Sequence, residues 1–166
     1  VKSVDEEASL GIAQASVVDD EERLRERVAF VHRRLGSDAI AEQYIQGREL
    51  TISVLGNERL QTFPVWELFF DNLPSGSKPI ATERAKWDRA YQLRAGIGTG
   101  PAEDLPDTLA RHISKVAKRT YRALGLTGYA RIDLRLSEDG RVWVLEANPN
   151  PDLRSEEDFA AAADEA

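Results

Sequence analysis

The sequence predicts a soluble α+β domain built in two lobes. Three observations predict it. Two stretches repeat apolar residues at helical spacing, others alternate as antiparallel strands, and the composition is that of a globular chain. The chain has 166 residues, 42% hydrophobic and 31% charged, long enough to bury a core without cross-links. It has no Cys, which excludes disulfides and thiolate metal sites. The net charge of -7 argues against a nucleic-acid partner. No run of 18 apolar residues and no leader-like start is visible, so a cytoplasmic location with no membrane partner is expected. The chain begins at Val1 and contains no Met, which reads as a piece of a longer protein.

Val17-Val18 reads as a brief strand. Leu24, Val28, Val31 and Leu35 mark one helical face, opened by Asp19 with Glu22 as a capping box and stopped at Gly36. Residues 39–45 read as a short strand. Leu50, Ile52 and Val54 alternate with polar residues as a half-buried strand, and 60–68 reads as its return, with Pro64 at an edge or bulge. Residues 71–79 and 96–106 read as loops. A second helix spans 107–124, with Leu109, Ile113, Val116, Thr120 and Leu124 on one stripe. A hairpin over 129–148 follows, then a helix starting at Ser155.

The hairpin carries the strongest chemistry. Asp139-Gly140 suits a two-residue turn. That turn sets Asp133 opposite Glu146 and Arg131 opposite Asn148 on one face. The other face sets Ile132, Leu134 and Leu136 opposite Ala147, Leu145 and Trp143. Two carboxylates directly across a ladder repel by roughly a few tenths of a kcal/mol. A divalent cation turns that cost into a binding site, and Asn148 adds an oxygen on the same side. Oxygen ligands suit magnesium or manganese rather than zinc. A four-residue loop keeps these faces, whereas a three-residue loop breaks the match. The plainer alternative is a solvated outer face with incidental acids. An EF-hand is excluded, because Leu134, Arg135 and Leu136 occupy positions where its loop needs oxygens.

Residues 129–133 (Tyr-Ala-Arg-Ile-Asp) and 144–149 (Val-Leu-Glu-Ala-Asn-Pro) together resemble the metal-binding hairpin of ATP-grasp ligases, nearest the D-alanine–D-alanine ligase branch. Residues 41–50 (Ala-Glu-Gln-Tyr-Ile-Gln-Gly-Arg-Glu-Leu) are similar to that family's adenosine segment. Lys2 with 7–12 (Glu-Ala-Ser-Leu-Gly-Ile) resembles its phosphate-covering loop, and 83–87 (Glu-Arg-Ala-Lys-Trp) its later lysine segment. The four motifs run in the family's order.

The resemblance implies an α+β ATP-grasp fold, two subdomains with antiparallel sheets and flanking helices that hold ATP between them. It implies a lid-type part over 1–48 and a larger metal-binding part over 49–166. The implied reaction is ATP-dependent joining of a small-molecule carboxylate and amine through an acyl phosphate. Arg131 is the implied catalytic residue. Asp133, Glu146 and Asn148 are implied to hold magnesium, with Glu146 bridging. Lys2, Ser9 and Lys86 are implied phosphate contacts, Glu42 an acceptor for the adenine amino group, and Glu49 a ribose ligand. The backbone at Gln43 and Ile45 reads the adenine edge, with Tyr44 packed nearby. His32 and His112 read as surface residues.

The family places a further substrate domain before this segment, so the chain alone is expected not to complete ligation. A homodimer is left open. The sequence departs from the branch at Glu7 and Ala8, where Gly and Ser are usual, and at Trp87, where Tyr is usual. It departs again at 149–153 (Pro-Asn-Pro-Asp-Leu), which lacks the branch's Gly-containing stretch. These departures leave the substrate pair open. The alternatives are a regulatory nucleotide-binding module of the same fold, or another ATP-grasp branch such as a glutamate-adding ligase.

Overall fold

The computed structural model describes residues 1–6 and 8–166. Glu7, the first residue of the expected phosphate-covering loop, lies outside them. The chain divides into two compact units, Val1–Tyr44 with Phe70–Gly98, and Ile45–Phe69 with Thr99–Ala166. The division that the resemblance implies, 1–48 and 49–166, has a single boundary and keeps 70–98 in the larger part. Among the described residues no helix is long and apolar enough to cross a membrane.

In the first unit, β1 (Lys2–Ser3) pairs antiparallel with β2 (Ala39–Ile40). The expected strand at Val17-Val18 is absent. The Ser16 hydroxyl accepts from the Ala13 amide at 3.0 Å and winds the preceding residues into a short 3-10 turn, Gln14–Ser16. Helix α1 (Glu21–Phe30) continues through a π-helical turn, Val31–Leu35, to a left-handed Gly36. Its cap is Asp20, which accepts from the Arg23 amide at 2.8 Å, not Asp19, which pairs with the Arg23 side chain. Val31 is fully buried and the other three residues of the predicted face are half-buried. The strand expected over 39–45 ends at Ile40, and 41–46 has no regular structure. Two short helices, α2 (Glu83–Trp87) and α3 (Arg89–Ala95), close the unit. Each starts on a side-chain cap. The Thr82 hydroxyl accepts from the Ala85 amide at 3.0 Å, and the Asp88 carboxylate from the Tyr91 amide at 2.9 Å.

The second unit is organised by a sheet that, among the described residues, has six strands. These are β3 (Gly47–Leu55), β4 (Gln61–Thr62), β5 (Trp66–Phe70), β6 (Ile97–Pro101), β7 (Tyr129–Ser137) and β8 (Val142–Asn148). The order is β6-β5-β3-β7-β8, with β4 also on β3. The predicted return strand is broken. β4 and β5 pair with β3 in registers one residue apart, and the shift falls across Pro64, which has no N–H for the ladder. β6 forms where a loop was expected, because Gly98, Gly100 and Pro101 carry turn signals without strand alternation.

Helix α4 (Asp107–Ala123) covers one face of the sheet. Leu50, Ile52 and Val54 of β3, and Ala130, Ile132, Leu134 and Leu136 of β7, pack on Ile113, Ala117 and Tyr121. The helix is turned from the predicted stripe onto this row, and Leu124 is left exposed. The Tyr121 hydroxyl fixes that rotation by donating to the Gly56 carbonyl at 2.9 Å. On the other face, α5 (Asp158–Asp164) brings Phe159 against Phe63 and Tyr129, each ring pair 5.7 Å apart and edge-on. The expected helix start at Ser155 is instead a turn. Gly47 opens β3 at φ 149°, and a Cβ there would lie 2.0 Å from the Leu136 carbonyl oxygen, so only glycine fits.

Candidate functional site

Alternation along β3 and β7 sends Glu49, Thr51, Ser53, Arg131, Asp133 and Arg135 to the face away from α4. Strand β8 completes that face, and the tip of the hairpin differs from the expected one. Ser137 accepts from the Gly140 amide at 2.9 Å and donates its own amide to Arg141 at 3.0 Å. The loop therefore has three residues, 138–140, with Gly140 left-handed at φ 79°. The first rungs are consequently Leu136–Val142, Arg135–Trp143 and Leu134–Val144, not the predicted partners. The register then shifts between Asp133 and Leu134. Leu145 is the extra residue, a bulge. Beyond it, Asp133 faces Glu146, Ile132 faces Ala147 and Arg131 faces Asn148. The bulge cancels the odd loop and keeps the two acids paired. Trp143, Val144 and Leu145 are exposed, so β8 contributes only Val142 and Ala147 to the apolar face, beside Ile132, Leu134 and Leu136 of β7.

Arg131 grips Asp133 with two hydrogen bonds, Nε to Oδ1 at 2.7 Å and Nη2 to Oδ2 at 2.8 Å. Both side chains are largely buried. Burial by itself pulls the Arg131 pKa down. The hydrogen bonds and charge of Asp133, with Asp158 and Glu146 behind them, overcome it and push the pKa above its ordinary value. The guanidinium is thus permanently charged. Arg135, almost fully buried, donates to Glu49 Oε2 at 2.9 Å and to the Gly47 carbonyl at 3.0 Å. The implied ribose ligand is therefore also the ion-pair partner of a buried arginine. The sequence places Arg135 on this face, opposite Val144, and assigns it no role; in the structure it lies opposite Trp143 and pairs with Glu49.

Asn148 Oδ1 accepts from the Asn150 amide at 2.9 Å. Among the described residues no group of three or more His, Cys, Asp or Glu gathers as a metal cluster. The hairpin set is two carboxylates and an amide oxygen. An ionised carboxylate offers about four lone-pair sites. Arg131 takes one direction on each Asp133 oxygen, so the remaining donors fit a hard cation such as magnesium.

In the first unit, Lys2 Nζ lies 2.8 Å from Glu42, both partly exposed, an interaction of small energetic weight. Ser9 and the preceding Ala8 both have left-handed backbones, φ 63° and 52°. The Ser9 carbonyl accepts from the Ile12 amide at 2.9 Å. This loop is tied to α2 in three places. Gly11 donates its amide to Glu83 Oε2 at 2.7 Å, Glu83 donates its amide to Ile12 at 2.9 Å, and the Trp87 indole donates to Ala8 at 3.3 Å. Lys86 is exposed on the same helix. Gln43 is exposed and Tyr44 half-buried, with the Lys78 ammonium 5.9 Å from its ring centre. Ile45 opens the second unit, half-buried. Both histidines are exposed. Within the units, then, the structure brings Lys2 to Glu42, the Ser9 loop to the Lys86 helix, and Arg131, Asp133, Glu146 and Asn148 to one ladder end. The ties through Glu83 were not foreseen.

The family model for the D-ala D-ala ligase C-terminus matches residues 1–166. A protein of Sinorhizobium fredii described as uncharacterised is 32% identical over 98% of the chain, which spans 46% of that relative. A D-alanine–D-alanine ligase of Bordetella petrii is 36% identical over 87% of the chain and 36% of its own length. The chain therefore spans less than half of these relatives. In shape it is similar to the D-alanine–D-alanine ligase of Bacillus anthracis complexed with ATP, with a TM-score of 0.67 at 22% identity, covering 89% of this chain and 42% of that one. It is also similar to the VanG D-Ala:D-Ser ligase of Enterococcus faecalis, with a TM-score of 0.64 at 19% identity, covering 86% and 38%. The fold is the α+β ATP-grasp fold of these ligases, and the chain belongs to the D-ala D-ala ligase C-terminal family.

Proposed function

We propose that this chain is the nucleotide- and metal-binding part of an ATP-dependent carboxylate–amine ligase of the D-alanine–D-alanine type. One observation carries the reading: the bulged ladder that sets Asp133 opposite Glu146 with Arg131 and Asn148 alongside. Arg131 offsets one of the two facing acids, and a hard cation shared by both carboxylates would offset their remaining repulsion.

Asp133, Glu146 and Asn148 hold magnesium in this reading. Bound magnesium offsets charge on the phosphate oxygens as a phosphoryl group moves. Arg131, held charged by its pairing, faces the anionic acyl phosphate and the tetrahedral species after it. Lys2, Lys86 and the Ser9 loop neutralise and cover the phosphates. Glu42 accepts from the adenine amino group, the backbone at Gln43 and Ile45 reads the ring edge, and Tyr44 packs beside it. Glu49 keeps Arg135 and accepts ribose hydroxyls with its remaining lone pairs. The Lys2–Glu42 pair is then a resting contact that both residues exchange for nucleotide. The substrates are a small carboxylate and a small amine, of the amino-acid class named for the family. Residues 149–153, where the sequence departs from the branch, bear on the second one and leave its identity open. The relatives carry more than half their length outside the matched part. We therefore include in the proposal that the 166 residues alone do not complete ligation.

Calorimetric titration of ATP into the chain, with and without magnesium, tests the reading. Binding is expected to need magnesium, and Glu146→Gln to weaken it at least about tenfold, as loss of a charged ligand does. Binding indifferent to both magnesium and Glu146→Gln sinks it.

A further inference from the structure

The first unit holds a cavity of about 680 Å³ between the 11–14 loop, α1, α2 and α3. This is within the size range of small-molecule sites. Its apolar walls are Ile12, Phe30, Trp87 and Tyr91. Gly11 and Ile12 of the proposed phosphate-covering loop form one wall, but Lys2, Ser9, Lys86 and the other side chains proposed to contact nucleotide or metal do not line it.

Arg27 also lines the cavity, and it is only 7% exposed. It donates to the Gly11 carbonyl and lies over the Phe30 ring at 4.3 Å, but its buried Nε has no hydrogen-bond partner. Among the described residues no acid forms an ion pair with it. The two acids at the cavity are committed elsewhere. Glu83 accepts from the Gly11 amide, and Asp88 caps α3 and takes Arg84 at 3.0 Å. A buried guanidinium with one neutral acceptor is costly, and an anion on its free edge relieves that cost.

We propose that this cavity binds a small carboxylate with an aromatic or branched apolar body. The carboxylate sits on Arg27, and the body lies against Phe30, Trp87 and Tyr91. A single buried cation and nearby Glu83 and Asp88 favour one negative charge over a phosphate. The exposed indole of Trp87, 70% accessible, supplies the apolar contact.

The test is a titration of the chain with phenylacetate and, separately, phenylacetamide, followed by NMR at the Arg27 Nε–H and Trp87 indole N–H signals. Phenylacetate is expected to shift both saturably and to bind at least about tenfold tighter than the amide, as expected of a charge-assisted hydrogen bond. Arg27→Gln is expected to abolish that preference. The titration is made without ATP or magnesium, so its outcome does not depend on the nucleotide reading. Equal binding of acid and amide, or no saturable shift with phenylacetate, overturns the proposal. That comparison uses the unaltered chain and stands even where the variant does not fold.

Discussion

The two faces of one sheet are built from alternate residues of the same strands, yet they are held together by different physics. On the α4 face, Leu50, Ile52, Ile132 and Leu134 are completely buried against Ile113, Ala117 and Tyr121. On the opposite face, Arg131 pairs with Asp133 and Arg135 with Glu49. The apolar face is non-directional and tolerates small adjustments. The charged face depends on angles and on which strand each partner comes from. A one-residue slip exchanges the two, so packing on one side and ion pairing on the other specify the same register.

Three measurements separate those contributions. Ile132→Ala is expected to lose about 3 kcal/mol in chemical denaturation, from a cavity at a site with no solvent access. An effect below about 1 kcal/mol would mean that the α4 face does not carry the stability. Arg135→Gln removes the guanidinium from Glu49 and the Gly47 carbonyl, and is expected to cost about 3 kcal/mol. Adding Glu49→Gln should recover part of that loss. Strict additivity of the two substitutions would show that they are not coupled. Tyr121→Phe is expected to cost about 1 kcal/mol through the lost bond to Gly56. Burial raises the Tyr121 pKa, so its folded form favours the proton. The contribution is present below the ordinary tyrosine pKa of about 10 and declines as pH climbs above it. Tyr121→Phe should flatten that alkaline slope, and an unchanged slope would remove Tyr121 as its source.

Legibility in the sequence follows the same division. The Leu50, Ile52 and Val54 alternation is visible because it rests on a period of two within one strand. The Asp133–Glu146 pairing matches the expectation by another route: the two-residue turn is a three-residue loop, and the bulge restores the pair. The bulge is not visible. Val144 and Leu145 are both apolar, and nothing in their side chains marks which one is extra. The partnership of Arg135 with Glu49 is hidden because the acid arrives from β3, a strand 86 residues earlier. The Lys2–Glu42 contact is hidden for a similar reason, since β1 and β2 are short and carry no alternation. Helices α2 and α3 are too brief and charged to show periodicity. Their trace in the sequence is the pair of caps, Thr82 and Asp88. Strand β6 is masked by its own glycines and proline.

The Leu145 bulge also bears on how the chain tolerates changes in length. Twelve residues separate Asp133 from Glu146, an even span that the structure fills with four rungs, an odd loop and one unpaired residue. The bulge works as a slip joint. A residue added or removed beyond it can be absorbed by exchanging loop and bulge, leaving the Asp133 rung where it is. The tip at Glu138–Gly140 is thereby decoupled from the acids at the base. It is the natural port for a fused peptide or a reporter insertion, while a one-residue insertion between Glu146 and Asn148 would turn the two to opposite sides.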